Sequence, residues 1–310
     1  MSLALQVLVT GVAAGGVYGL LAAGHSLVYR LTGVVHFALG DLVGLGIFTT
    51  LFVAAGTGPV TQATANGPRF LAALAVGLLV CVGAGIGSYL FVVHPYLVRG
   101  SIIGSVAAIV AVAFAVRAVL AAVFDRPGYV FPDALPFRRV GDEGFVTLGG
   151  ASIQVRSFFV IAVALALALI AAWALGHTRF GRGLQAVAAD VEGARVVGVP
   201  VERFVALAFG LAGGLAAVAA IVAAPSGAVD ADTGVLLGVK GLVAAVVVRF
   251  GSPLAAMISG IALGLAEASI ANFHLGPLEL GPQYRDVVPI AIALLLIALR
   301  PQAEALEARE

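Results

Sequence analysis

Apolar runs of about twenty residues, repeated along the whole chain, decide what it can fold into. A helix needs about 20 mostly apolar residues to cross the ~30 Å hydrocarbon layer of a bilayer. Such runs lie near 5–29, 33–56, 70–93, 101–124, 157–176, 204–224, 234–250, 253–272 and 286–300. The seventh and ninth are short, and 234–272 can also be read as one re-entrant element plus one span. The expectation is therefore about eight or nine spans. Only 11% of the residues are charged and 61% are hydrophobic, where a soluble domain carries roughly 25% charged residues. So few charges cannot cover a water-facing surface, and the solvent must largely be lipid. Backbone groups in lipid have to be satisfied within the segment, which makes helices the expected form. The fold class is all-α: a polytopic membrane helix bundle over 1–300, with 301–310 as a cytoplasmic tail and no soluble domain.

Arginine placement orients the bundle, because short cytoplasmic turns are enriched in Lys and Arg. The turns carrying Arg30, Arg99, Arg179, Arg182, Arg195, Arg203 and Arg249 are placed inside. The N-terminus is then outside, and the C-terminal end, with Arg300 and Arg309, is cytoplasmic. A Pro- and Gly-rich loop at 125–156 lies on the outer side, its Arg126, Arg138, Arg139 and Arg156 balanced by Asp125, Asp133, Asp142 and Glu143. The N-terminal run lacks a basic leading region and is read as a retained span, not a cleaved signal. A net charge of +1 gives no case for nucleic-acid binding. Cys81, the only cysteine, can form neither an intrachain disulfide nor a thiol metal cluster.

Glycine is abundant, with 40 residues, and sits inside the spans: Gly11, Gly15 and Gly19; Gly83, Gly85 and Gly87; Gly210 and Gly214; Gly260 and Gly264. Small-xxx-small faces of this kind let helices approach closely. There is also an internal echo. Ala13–Val17 resembles Leu211–Leu215, and Thr32-Gly33-Val34, followed by Gly40, resembles Thr233-Gly234-Val235, followed by Gly241. In this topology the two copies run in opposite directions, the pattern of inverted-repeat transporters.

Residues 177–203 form a polar, Arg-bearing island between two apolar runs. Within it, Glu192-Gly193-Ala194 followed by Gly198 matches an E-A-A-x-x-x-G pattern with Gly193 in place of the middle Ala. Small residues at Gly193 and Ala194 allow a short helix to press into a partner's groove, and Gly198 is suited to end that helix in a left-handed conformation. That pattern is the loop by which ABC importer permeases dock on their ATPases. The chain as a whole resembles the permease subunits of branched-chain amino acid ABC importers, of the LivH type. The resemblance rests on Gly16–Leu20 through Leu27–Arg30, Gly33–Asp41, the 177–210 region, Lys240–Val246, Gly264–Glu267, Tyr284–Asp286 and Arg300-Pro301, in family order. His36, Leu39 and Asp41 depart from the usual Asn, His and Glu.

The resemblance implies that 1–300 is an ABC importer transmembrane domain with a cytoplasmic coupling loop at 177–203. It also implies two ATPase subunits, a second related permease chain (a heterodimer, with a homodimer left open) and an extracytoplasmic solute-binding protein, in a bacterial plasma membrane. ATP is bound by the partners: Gly234–Gly241 fails the spacing of a phosphate-binding loop, so no cofactor is expected in this chain. The solute is a branched-chain amino acid, or urea or a short amide as carried by other relatives.

Ionisable residues inside spans are costly and face the bundle interior. Asp41, Arg117, Lys240 and Glu267 are such residues. The echo places Asp41 and Lys240 at nearly equivalent points, which suggests that they pair, either along the translocation path or as a structural tie. His36, Gly40, Asp41, Lys240 and Glu267 are the candidate path residues. Gly33–Gly40 is expected to interrupt its helix and offer open backbone groups to a zwitterion, with His36 as either a hydrogen-bond donor or a packing residue. No metal or nucleophile constellation is present, so an enzyme is not expected. An ion-coupled secondary transporter is the other class that fits the membrane charges, though it needs no docking loop.

Overall fold

The computed structural model describes residues 2–56, 68–124, 128–131, 144–148, 150–226, 228–275, 278–280 and 287–298. The described chain is helical through most of its apolar runs. Helix α1 spans Ser2–Thr32, α2 Leu39–Ala55 and α3 Pro68–Gly87. The last continues through a π-helical turn, Ser88–Val93, into α4, His94–Val98. Then come α5 Ile102–Val123, α6 Val155–His177, α7 Arg179–Ala189, α8 Val191–Val196, α9 Val201–Ala223, α10 Thr233–Val247, α11 Pro253–Ala271 and α12 Val287–Ala298.

Among the described residues, six helical stretches are long and apolar enough to cross a membrane: Leu3–Thr32, Pro68–Val98, Ile102–Val123, Val155–His177, Val201–Ala223 and Pro253–Ala271. Each of the expected apolar segments carries a helix, but α2 and α10 are shorter, at 17 and 15 residues. At 1.5 Å per residue they reach only about 25 and 22 Å. The expected second span, 33–56, thus loses its first six residues to a non-helical stretch. Gly33 ends α1 at φ +67°, the left-handed conformation that glycine accepts at little cost. Thr32 accepts a hydrogen bond from the Val34 N–H at 3.2 Å, which holds the chain out of helix. The interruption expected at Gly33–Gly40 is present.

Among the described residues, three short antiparallel strand pairs decorate the bundle: Tyr129–Val130 with Ala228–Val229, Phe145–Leu148 with Ala151–Gln154, and Phe273–Leu275 with Leu278–Leu280. The first ties the segment after α5 to the segment between α9 and α10. Much of the 125–156 loop, including Asp125, Arg126, Asp133, Arg138, Arg139, Asp142 and Glu143, lies outside the described residues, as do Tyr284–Asp286, Arg300-Pro301 and the 301–310 tail.

Glycine sets the packing. A methyl group at Gly15 would sit 2.5 Å from Ile261 Cα, and one at Gly11 would sit 2.9 Å from Leu265 Cα, so α1 and α11 meet backbone to backbone and run antiparallel. Helices α3 and α9 repeat this contact, with Gly213 on Cys81 and Gly85 on Phe209. Exchanging α1 for α9, α2 for α10 and α3 for α11 turns one set of contacts into the other. The pair Gly11/Leu265 becomes Phe209/Gly85, and Gly15/Ile261 becomes Gly213/Cys81, in a single register. The first half of the sequence echo, 13–17 on 211–215, follows this register. The second half does not: the reciprocal contacts Gly40/Gly238 and Gly44/Gly234 equate Gly40 with Gly234. The alignment of Gly33 with Gly234 is therefore displaced by about two helical turns, and Asp41 and Lys240 are not equivalent.

The α1–α11 seam leaves no room for a side chain, whereas Gly83 has open space around it. Gly264→Leu is expected to lower the thermal midpoint of the detergent-purified protein sharply or prevent its recovery. Gly83→Leu is expected to leave the midpoint within error, as read by fluorescence-detected thermal unfolding.

Candidate functional site

The N-terminal turns of α2 and α10 cross each other at the Gly40/Gly234 contact. Helix N-termini carry unpaired N–H groups and a partial positive charge, about half an elementary charge each. Two carboxylates stand there. Asp41 lies in the first turn of α2 and is buried; Asp232 immediately precedes α10, makes no side-chain capping bond and is exposed. Arg117 of α5 lies between them, with Nε 3.1 Å from Asp41 Oδ1 and 3.7 Å from Asp232 Oδ1. Its guanidinium carbon stands 5.4 Å from the centre of the Phe114 ring.

A cavity of about 190 Å³ opens at this crossing, walled by His25, Gly40, Asp41, Phe114, Arg117 and Val239 among others. A larger cavity of about 570 Å³ has Tyr18, Arg156, Asp230 and Asp232 in its wall. Arg156, at the start of α6, donates to the carbonyls of Val222 at 2.7 Å and Ile221 at 3.4 Å. Those carbonyls belong to the last turn of α9 and have no partner within the helix, so a cation there satisfies them and the helix dipole together.

Of the expected path residues, Gly40 and Asp41 line the smaller cavity. Lys240 and Glu267 lie elsewhere, and the suggested Asp41–Lys240 pair is replaced by two separate clusters. Asp41 is taken by Arg117, while Lys240 Nζ is 3.0 Å from Glu267 Oε2. Tyr18 closes this second cluster, donating to Glu267 Oε2 at 2.8 Å and accepting from Lys240 at 3.1 Å. His36 is fully buried within the break, its Nε2 3.3 Å from Ser88 Oγ and its ring 5.1 Å from that of Phe209. It ties the break to the π-helical turn and lines neither cavity.

Sequence reading passed over His25, Tyr18 and Asp232. Tyr18 and His25 are seven residues apart, two turns of one helix, so they share a face of α1. That polar pair, in an otherwise apolar and small-residue helix, was the available signal.

The polar island folds as α7 and α8. Thr178 caps α7 by accepting from the Gly181 N–H at 2.9 Å, and Asp190 caps α8 by accepting from the Glu192 N–H at 3.0 Å. Helix α8 ends in a Schellman turn. Gly198 has φ +82°, its N–H reaches the Arg195 carbonyl at 3.0 Å, and the Val199 N–H reaches the Ala194 carbonyl at 2.9 Å. Gly198 ends the helix as expected. Ala194 does not face outward as expected, but is buried in the bundle. The outward face consists of Glu192, Arg195 and two bare valines, Val196 and Val197, which are 87% and 75% exposed. Arg195 joins Glu192 at 3.1 Å and Glu202 of α9 at 3.0 Å, which anchors α8 to a membrane helix.

Residues 7–299 match the family described as the permease component of branched-chain amino acid transport systems. The chain is 29% identical over 303 residues to the high-affinity branched-chain amino acid permease protein BraD of Pseudomonas aeruginosa, covering 96% of this chain and 94% of that protein. It is 28% identical over 301 residues to LivH of Escherichia coli K12, with the same coverage. A local likeness, 43% over 83 residues and 26% of this chain, links it to the autoinducer 2 import permease LsrC of Salmonella paratyphi B.

Lys240 and Glu267 are 4% and 0% exposed, so removing one partner strands a charge in a medium that cannot solvate it. Lys240→Met is expected to destabilise the protein by about 3–5 kcal/mol, and Lys240→Met/Glu267→Gln to recover part of that loss. Detergent thermal unfolding of the two single variants and the double variant measures the coupling.

Proposed function

The chain belongs to the permease-component family of branched-chain amino acid transport systems, and from that premise we propose that it forms the membrane path of an ATP-driven importer for a branched-chain amino acid. The full-length likeness to two high-affinity branched-chain amino acid permeases carries this reading. The chain is a permease subunit and not an enzyme, and ATP is hydrolysed on two partner ATPases. A second, related permease completes the channel as a heterodimer, with a homodimer as the other arrangement. A solute-binding protein delivers the solute to the outer face. The protein lies in a bacterial plasma membrane, with its N-terminus outside and its C-terminus in the cytoplasm.

Residues 177–203 serve as the coupling loop. Glu192, Gly193 and Gly198 shape α8, and Ala194 seats it on the bundle. The exposed Val196-Val197 pair then fills an apolar groove on the ATPase. Small movements of that groove pass through Arg195 and Glu202 to α9. Arg179, Arg182 and Arg203 support a cytoplasmic position for this end.

One observation favours a second reading. The local likeness to an autoinducer 2 permease fits a different small polar solute, with urea and short amides in the same class. Proteoliposomes containing the whole importer distinguish the two. ATP-driven accumulation of labelled leucine, isoleucine or valine supports the first reading; accumulation of the other solutes, without these, overturns it.

The coupling reading generates its own test. Val196→Asp/Val197→Asp is expected to release the ATPases during mild-detergent purification, while the chain itself stays monodisperse by size exclusion. Retention of both ATPases in that variant refutes the docking surface.

A further inference from the structure

We propose that the 190 Å³ cavity at the crossing of α2 and α10 binds the charged head of a free amino acid. In this arrangement the carboxylate is held by Arg117 and His25 and the ammonium by Asp41. This assignment rests on the amino acid reading above and names the site that carries it out.

His25 points to a ligand. It is 2% exposed and lines the cavity, yet neither ring nitrogen has a hydrogen-bond partner of good geometry among the described groups, although the ring stands against the Gly238 backbone. Buried polar side chains are nearly always hydrogen-bonded, and one that is not calls for an explanation such as a missing ligand. Arg117 gives a second, independent indication. Its contacts to Asp41 and Asp232 are made through Nε, and among the described residues its two Nη groups have no hydrogen-bond partner. A guanidinium edge of two parallel N–H groups is the geometry that fits a carboxylate bidentately.

Volume and charge agree with that ligand. A cavity of about 190 Å³ has room for about six waters at ~30 Å³ each, which suits one compact solute. Val110, Phe114, Val235, Val239 and Leu242 supply apolar wall for an aliphatic side chain. Asp41 and Asp232 carry two negative charges. Arg117 and the two helix N-termini, at about half a charge each, together offset them. A zwitterion enters without disturbing that balance, whereas an anion or a cation would unbalance it.

The test uses the assembled permease–ATPase complex without its solute-binding protein. Labelled leucine is the probe, with leucinamide (lacking the carboxylate) and 4-methylpentanoate (lacking the ammonium) as competitors. In the unaltered complex both analogues are expected to compete poorly. Arg117→Gln and His25→Asn are each expected to weaken leucine binding about tenfold, the scale of one charge-assisted hydrogen bond. In Arg117→Gln the gap between leucinamide and leucine should narrow, because only His25 is left to read the carboxylate. Should that variant fail to assemble, His25→Asn carries the test, because it removes a side chain that supports no neighbour through a hydrogen bond. If both variants bind leucine like the unaltered complex, and the complete importer still takes up leucine, the site assignment is wrong and the importer reading stands. If the complete importer takes up no branched-chain amino acid, the broader reading fails first.

Discussion

Helices surrounded by lipid gain little by hiding apolar side chains from one another, because the lipid is as apolar as they are. Close approach of backbones has to supply the cohesion instead. In this chain it comes from two antiparallel seams, α1 on α11 and α3 on α9, where glycine lets main chains touch. The seams leave α2 and α10 between them. These two helices are too short to cross the bilayer singly and are placed with their N-terminal turns in contact. The polar centre exists because those seams hold the two shortened helices together.

That arrangement also explains which parts could be read from the sequence. Long apolar runs report helices because lipid forbids other backbone forms, and the polar island reports α7 and α8 through its capping residues, Thr178, Asp190 and Gly198. Position along a run says little about which residues meet across the bundle. Asp41 and Lys240 looked equivalent in a glycine-rich echo, but the echo slips by two turns between the halves, because small residues recur often enough to align falsely. The true partners, Arg117 for Asp41 and Glu267 for Lys240, come from helices whose relative rotation no single-helix pattern encodes. His25 was missed although it shares a face of α1 with Tyr18; its lack of a hydrogen-bond partner became visible only in the packed bundle.

The two ionic clusters have different characters. Lys240, Glu267 and Tyr18 join α1, α10 and α11 through three mutual hydrogen bonds, as befits a tie between helices. Arg117 is partly exposed, spans two carboxylates and bounds the smaller cavity, and Asp232 bounds the larger one. Helix α9 connects to both ends of this system. Its first turn holds α8 through Glu202, and its last turn holds Arg156 beside the larger cavity.

The meeting of two helix N-termini has an electrical consequence. A membrane at 100 mV does about 2.3 kcal/mol of work on each elementary charge that crosses it, so any leak of protons or sodium through a solute path would drain the cell's energy store. Two carboxylates, one guanidinium and two helix ends of about half a charge each sum to near neutrality at that meeting point, so these groups together present no strong net charge to a small ion. A solute bearing equal and opposite charges crosses such a point without moving net charge, so the membrane potential neither drives its passage nor is spent by it.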